Sequence, residues 1–189
     1  TPHFAKDALY LTLQNCDYTN AIAFSKNCYM TFWADYCEGV YYSSYLNNVR
    51  DCIDVFRVHK SELSCESVGI HSCSKTHYST ECADCVDVWF SRNCYGCMNC
   101  VGCVNLRGKS YMIFNKQYSK EEYFKSLTEL RLNTRTGLQE LQEKAEEFSR
   151  GLPYREYTGN THNLNVSGDY LYNSRNAKEC FMCSGVEDC

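Results

Sequence analysis

Several features that mark common classes of protein are missing from this 189-residue chain. Its lysine and arginine residues are scattered and form no run, and the formal net charge is -4. Because binding a nucleic-acid backbone needs clustered basic side chains, no nucleic-acid partner is expected. No stretch approaches the roughly 18 apolar residues of a membrane-spanning helix, and no signal peptide is visible. The sequence therefore predicts neither a nucleic-acid partner nor a membrane span.

Motifs typical of enzymes are also missing. The chain has no P-loop, no G-x-G-x-x-G, no H-E-x-x-H and no Ser/His/Asp order typical of a hydrolase. No paired carboxylates stand out as the acid and base of a glycosidase, although 16 of the residues are tyrosines. These absences favour a non-enzymatic protein.

What the chain does contain is a three-residue repeat. Every third residue from Cys16 to Leu106 is small or apolar, and no charged, amide, aromatic or glycine residue interrupts the series. The two other positions of each triplet carry the charged and aromatic residues, such as Tyr29 and Glu38. A helix would repeat every 3.6 residues and a flat strand every 2. The pattern therefore predicts a fold with an inner and an outer surface that is neither a regular helix nor a flat strand.

A second period lies on the first. Serines recur 18 residues apart at Ser25, Ser43, Ser61 and Ser79. Repeats near 20 residues are typical of solenoids, in which each unit buries its inner face against its neighbours. We therefore predict a mainly β fold, a β-solenoid of about 18 residues per coil and about five coils over residues 16–106. Residues 1–15 would form a partial first coil.

The 18-residue period also predicts which side chains stack between coils. His59 and His77 are one period apart, and Tyr41 and Tyr95 extend their column into an exposed aromatic ladder. Four asparagine or aspartate residues directly precede inward positions, namely Asn27, Asp51, Asn93 and Asn99. We predict that they lie at the corners of the coils, because asparagine and aspartate tolerate turn geometry.

Fifteen cysteines stand out in the composition. Eleven of the first twelve occupy the inward position of the triplet, Cys65 being the exception, and unpaired cysteine suits a narrow apolar interior. Stacked pairs such as Cys82 and Cys100 would approach disulfide distance, yet free thiols are expected for most. The localisation stays open, with a reducing cytoplasm or a virion or other assembly favoured.

One run of cysteines permits a metal site. Cys94, Cys97, Cys100 and Cys103 follow one another at three-residue steps, and C-x-x-C pairs can hold tetrahedral zinc or an iron–sulfur cluster. In the ferredoxin-type motif the fourth cysteine follows four residues after the third, whereas here it follows after three. The four cysteines also continue an inward series that includes Val88, which cannot bind metal. Structural packing without metal or cofactor is the favoured interpretation, and zinc or iron–sulfur binding is the alternative.

A helical insertion follows the repeat. A short strand is expected at 110–115, and Ser119 with Glu122 forms a capping box for a helix reaching about Leu132. A second helix should begin near Thr136, with Gln139 three residues on, and end at Gly151. The insertion, residues 107–160, should fold over the side or end of the solenoid, a partner-docking arm being the alternative.

The triplet pattern returns over residues 161–189, where every third residue from Gly168 to Cys189 is again mostly small or apolar. We expect this segment to resume the solenoid. Both ends of the sequence look cut, so further coils are expected after Cys189.

Part of the chain resembles a known repeat family. The string Asn115–Tyr123 (N-K-Q-Y-S-K-E-E-Y), the run Cys100–Arg107 and the triplet Gly168–Tyr170 are similar to a cysteine-rich repeat family of ultra-small uncultivated bacteria and some of their viruses. Its members are loosely labelled zinc-binding or "caib/baif family" proteins, and many carry an N-terminal zinc ribbon. Here the ribbon is absent and several repeat cysteines are replaced by Ser, Val, Thr or Leu. The resemblance implies a repeat fold and no particular activity.

Together these observations predict a non-enzymatic structural or protein-interaction scaffold within a larger assembly. Its partners would be proteins or further copies, bound through the solenoid ends and wall. One alternative is a zinc- or iron–sulfur-binding regulatory protein. The other is a solenoid acyltransferase-like or carbohydrate-active enzyme, which would need a cleft where His59, His71 or His77 faces a carboxylate.

Overall fold

The computed structural model describes residues 14–20, 26–34, 37–57, 59–153 and 162–189. The expected partial first coil lies almost wholly outside these residues, as do three inward positions of the triplet pattern, namely Ile22, Ser25 and Val58. The chain divides into two compact units, Thr1–Gly151 and Leu152–Cys189.

The first unit is mainly β and contains one ten-stranded sheet with its strands in chain order. The strands are β1 (Gln14–Asp17), β2 (Lys26–Phe32), β3 (Glu38–Ser44), β4 (Cys52–Phe56), β5 (Glu62–Val68), β6 (Ser74–His77), β7 (Val86–Trp89), β8 (Met98–Val101), β9 (Ser110–Ile113) and β10 (Lys116–Gln117). Neighbouring strands pair in parallel from β1 to β9, and β10 pairs antiparallel with β9.

The strands pair at a constant step of twelve residues. Cys28 lies opposite Val40, and Val40 lies opposite Cys52. The predicted 18-residue period is therefore wrong. Any coil length that is a multiple of three places inward residues on inward residues. The triplet pattern is therefore compatible with both a twelve-residue and an eighteen-residue coil, and the backbone hydrogen bonds show that the step is twelve. The pairing also continues through β9, past the exit expected near Arg107.

The backbone explains why the repeat is a triplet. Across the described ladder a left-handed residue recurs at every third position except Asn48 and Asp51; examples are Asn27, Met30 and Trp33, with φ of 54°, 48° and 57°. Each of the other triplets thus has an inward residue, an outward residue and a left-handed residue that turns the chain. Of the predicted corner residues, Asn27, Asn93 and Asn99 are left-handed and Asp51 is not. Asparagine fits because it tolerates this conformation better than most residues.

The inward side chains form a buried core. Val40, Val88, Cys82 and Cys100 are fully buried, and Thr76 is buried beside them. The inward positions of the triplet that the structure describes over 28–103 are all buried, which confirms the predicted separation of inner from outer surface.

Inward hydroxyls and thiols complete the backbone hydrogen bonding. The N–H of Ser79 donates to Ser67 Oγ at 3.2 Å, that of Ser91 to Ser79 Oγ at 3.1 Å, and that of Cys103 to Ser91 Oγ at 3.0 Å. The N–H of Cys85 donates in the same way to Cys73 Sγ at 3.4 Å. Since buried N–H groups must be paired, serine and cysteine at these positions are acceptors for the residue twelve places on.

The helical hairpin follows β10. Phe114 and Asn115, both left-handed, form the two-residue turn between β9 and β10. Helix α1 (Lys120–Glu129) begins with the predicted Ser119–Glu122 capping box, and its C-cap is Leu130, so it ends slightly before Leu132.

Helix α2 (Arg135–Arg150) ends at the predicted position, with Gly151 as its C-cap. The helix begins at Arg135, which confirms the start predicted near Thr136, but its N-cap is Thr134, whose side chain accepts from the N–H of Gly137, and not the pair of Thr136 and Gln139.

The hairpin covers one part of the sheet. Tyr123 of α1 and Leu141 of α2 are fully buried in a cluster with Phe90, Val101 and Ile113 of the β7–β9 region. This packing agrees with an insertion folded over the side of the repeat.

The second unit contains strands β11 (Gly168–Asp169) and β12 (Cys180–Phe181), which pair in parallel at the same step of twelve. Leu171, Ser174 and Ala177 are buried, as the returning triplet pattern predicts, whereas Cys189 is exposed. Among the described residues, neither helix has the length and apolar character needed to cross a membrane.

Candidate functional site

The interior thiols were the first candidates for chemistry. All fifteen cysteines are free, and those of the 94–103 run are buried. The thiols of Cys94 and Cys97 donate to the carbonyls of Arg92 and Tyr95 at 3.5 and 3.4 Å. Those of Cys100 and Cys103 donate, likewise two residues back, to Met98 and Val101 at 3.5 and 3.4 Å. These thiols act as hydrogen-bond donors to the backbone.

The pKa shifts of the interior cysteines differ in direction. Hydrogen bonds with neighbouring thiols lower the pKa of Cys85 to about 3, that of Cys94 to about 4, and that of Cys103. The pKa values of Cys52 and Cys82 are raised, which agrees with a structural role for these two. Burial raises the pKa of Cys52 to about 11. Hydrogen bonds with Cys85 and Cys94, together with burial, hold the pKa of Cys82 well above its usual 9.0. Because the thiolate is the form that attacks and binds metal, these protonated thiols are inert at neutral pH.

The thiols stack at the twelve-residue step. Cys82 lies one step before Cys94, so the predicted stacking of Cys82 on Cys100 is wrong; Cys100 pairs with Val88 and Met112. Within the described ranges, no three His, Cys, Asp or Glu side chains form a group that could hold a metal ion. Structural packing without metal is still the prediction for the 94–103 cysteines, with zinc or iron–sulfur binding as the alternative, and a direct metal measurement decides between them.

The histidines do not form the predicted ladder. His59 stacks on His71 with ring centroids 4.6 Å apart, and His77 packs on Trp89 at 4.1 Å. Stacking of His59 with His77, and of either with Tyr41 or Tyr95, would need the 18-residue period that the sheet does not have.

For the enzymatic alternative, the relevant interaction is between His77 and the nearby carboxylate of Asp87. Burial lowers the pKa of His77, and the nearby Asp87 carboxylate opposes that shift. Asp87 Oδ1 accepts a hydrogen bond from Trp89 Nε1 at 3.0 Å. In the described part of the chain, no ion pair joins His59, His71 or His77 to a carboxylate.

A single outward row of residues organises the exterior of the sheet. Its members are paired strand to strand at the twelve-residue step; they are Asp17, Tyr29, Tyr41, Ile53, Cys65, His77, Trp89, Val101 and Ile113. The hairpin buries the C-terminal end of this outer row, including Val101 and Ile113. The N-terminal end is exposed, Tyr41 by 40% and Ile53 by 40%.

Around that exposed end lies what we call the aromatic patch. It consists of seven residues on or beside β1–β3: Tyr18, Tyr29, Phe32, Trp33, Tyr41, Tyr42 and Tyr45. All but the half-buried Tyr29 are 40–64% exposed. Within the patch, Tyr29 makes edge-on contacts with Tyr18 and Tyr42 at 5.5 and 5.6 Å, and Trp33 stacks on Tyr45 at 5.9 Å.

The neighbouring row of outward residues is charged and ion-paired. Arg50 on the loop before β4 contacts Glu38 Oε2 at 3.8 Å and Glu62 Oε1 at 3.1 Å. Both carboxylates lie one twelve-residue step from the arginine. Surface pairs of this kind contribute little stability, and these three side chains together leave one net negative charge beside the aromatic patch.

The outer surface of the sheet has one cavity on the outer row and another on the next row of outward residues, which contains Thr80, Arg92 and Val104. One of about 230 Å³ lies between the aromatic patch and the hairpin and is lined by Tyr41, Ile53, Leu63 and His77. The other, of about 270 Å³, lies under α2. Its lining includes Tyr78 and Phe90, whose rings stack at 4.6 Å.

The aromatic patch was not predicted from the sequence. Its residues occupy the outward and left-handed positions of the triplets, but placing Tyr29 beside Tyr41 requires the twelve-residue step. A count over both of these positions gives nine aromatic residues from 16 to 45 and five from 46 to 106, and this concentration was the available signal. No protein family, no curated protein and no solved structure matches this chain, so its function must be argued from this geometry.

Proposed function

We propose that the first unit is a β-solenoid of twelve residues per coil, and that the protein is a non-enzymatic structural or protein-interaction scaffold within a larger assembly. The observation that carries the proposal is the unbroken parallel pairing from β1 to β9 at one constant step. Such an array has a rigid wall on which outward residues are aligned in rows. Membership of the cysteine-rich repeat family is part of the same proposal.

The distribution of chemically reactive groups supports a scaffold over a catalyst. The interior thiols are buried and hydrogen-bonded to backbone carbonyls, as for Cys85 with Ala83 at 3.2 Å. Large exposed apolar side chains lie on the wall instead, where Trp33 is 64% exposed. Exposed apolar surface of this kind is typical of protein-interaction sites.

The proposal is tested by isolating the tagged protein from its own cells under mild conditions. The expected result is a stoichiometric complex with at least one other protein, retained on native gel filtration. A Tyr42→Asn variant should lose partners that bind the aromatic patch, whereas Met98→Asn, at an equally exposed apolar position on β8, should keep them. Recovery of the wild-type protein only as free single or paired chains would contradict a scaffold role.

A further inference from the structure

We propose that the aromatic patch is a self-association surface, on which a second copy of this chain docks through the same patch about a twofold axis. This inference rests on the proposed scaffold function and names one partner for it. Three observations carry it: the size of the patch, its continuity with a surface that the chain already covers, and its regular spacing.

The first observation is size. Six patch residues are 40–64% exposed, and an aromatic side chain offers about 200 Å², so the patch presents on the order of 600 Å² of largely apolar surface. That is the upper end of what monomeric proteins leave exposed. It approaches the roughly 800 Å² that each partner contributes to a stable interface, with surrounding residues supplying the remainder.

The second observation is continuity with the hairpin interface. The outer row that contains Tyr29 and Tyr41 also contains Val101 and Ile113, which are buried under α1 and α2. The chain therefore covers one end of the outer row with its own helices. At the other end the same row is exposed among the described residues, and we assign its cover to a second copy of the chain.

The third observation selects a second copy over an unrelated protein. The rings of the patch are carried by β1, β2 and β3, so their rows repeat at the strand spacing of about 4.8 Å. A twofold rotation places equally spaced rows against equally spaced rows, and an isologous interface needs such self-complementarity. The ion-paired row of Glu38, Arg50 and Glu62 alongside carries one net negative charge, so it adds little repulsion between copies.

The experiment is sedimentation equilibrium of the purified full chain under reducing conditions. Interfaces of this size range from micromolar to picomolar affinity, so a dimer is expected at about 100 µM protein. Trp33→Asn and Tyr42→Asn should each raise the dissociation constant at least about tenfold. Both positions are left-handed, with φ of 57° and 50°, and asparagine suits that conformation, so the fold should survive.

Met98→Asn is the matched control, because Met98 is 46% exposed but lies on β8 outside the patch. It should leave the dimer unchanged. A wild-type chain that is monomeric at this concentration overturns the self-association proposal and leaves the scaffold proposal to the isolation experiment. A dimer that persists unchanged in both patch variants also overturns it, since the contact must then lie elsewhere.

A second measurement avoids disturbing the patch. The chain has two tryptophans, and Trp89→Phe leaves Trp33 as the only one. If Trp33 is buried in a dimer, its emission should shift to longer wavelength as the protein is diluted. Emission that stays constant over the dilution series contradicts burial of the patch between two copies.

Discussion

The inward hydroxyl of Ser79 provides the sharpest test of how this repeat is held together. Ser79 Oγ accepts from the N–H of Ser91 at 3.1 Å and donates to the carbonyl of His77 at 2.8 Å. Both serines are buried, at 1% and 2% exposure. Ser79→Ala would therefore leave a backbone N–H of the interior without an acceptor, out of reach of solvent.

The expected cost follows from that lost acceptor. An unsatisfied buried donor costs about 1–3 kcal/mol, whereas truncating serine to alanine removes little apolar volume. We expect Ser79→Ala to lower the free energy of unfolding by about 2 kcal/mol, which corresponds to a melting temperature lower by roughly 4–8 °C in a protein of this size. Ser79→Cys should recover part of the loss, because Cys73 and Cys85 accept equivalent bonds at 3.4 Å.

The assay is urea unfolding followed by circular dichroism, with Ser74→Ala as the control. Ser74 occupies an outward position on β6, the strand that precedes Ser79, and its substitution should change stability by less than about 0.5 kcal/mol. If Ser79→Ala is no more destabilising than Ser74→Ala, or if Ser79→Cys is as unstable as Ser79→Ala, inward hydroxyls and thiols do not hold the backbone in the way described.

Three further predictions concern the core, the histidines and the metal state. Val88→Asp places a carboxylate at a fully buried position and should prevent folding, since an unpaired buried charge costs several kcal/mol; a folded variant with the wild-type dichroism spectrum would contradict the inward assignment. Burial lowers the pKa of His77 below its ordinary 6.5, against the opposing Asp87 carboxylate, so the folded state resists protonation. Stability should be complete above about pH 6.5 and decline as the pH falls below it, and the decline should be weaker in His77→Gln; identical pH profiles would count against this. Finally, protein purified without added zinc should contain less than one equivalent of zinc or iron by mass spectrometry, and a full equivalent would favour metal binding by Cys94–Cys103.

The comparison of sequence with structure is clearest at the cysteines. Their position in the triplet predicted burial correctly, because only small or apolar side chains fit the interior. The residues on which they stack in the next coil could not be predicted, since Cys94 and Cys100 both lie a multiple of three residues after Cys82. For the same reason His59 was predicted to stack on His77, whereas it stacks on His71.

The helical hairpin was predictable because its signals are local. The capping box of Ser119 and Glu122 needs only three residues of sequence. The start of α2 was predicted to within one residue. Its cap was not predicted, because Thr134 and Thr136 are both suitable caps and the contact of Thr134 with Gly137 is visible only in three dimensions.

By itself, the sequence determined the inner and outer surfaces, the mainly β character, and the position of the two helices. Each of these depends on residue size, polarity or capping within a few neighbouring positions. Only the tertiary structure decided the twelve-residue step, because left-handed residues at most of the third positions turn the chain and hydrogen bonds between strands then determine which residues pair. That step places Tyr29 beside Tyr41 and Val101 beneath the hairpin, and so it also decided which outward residues are covered and which form the aromatic patch.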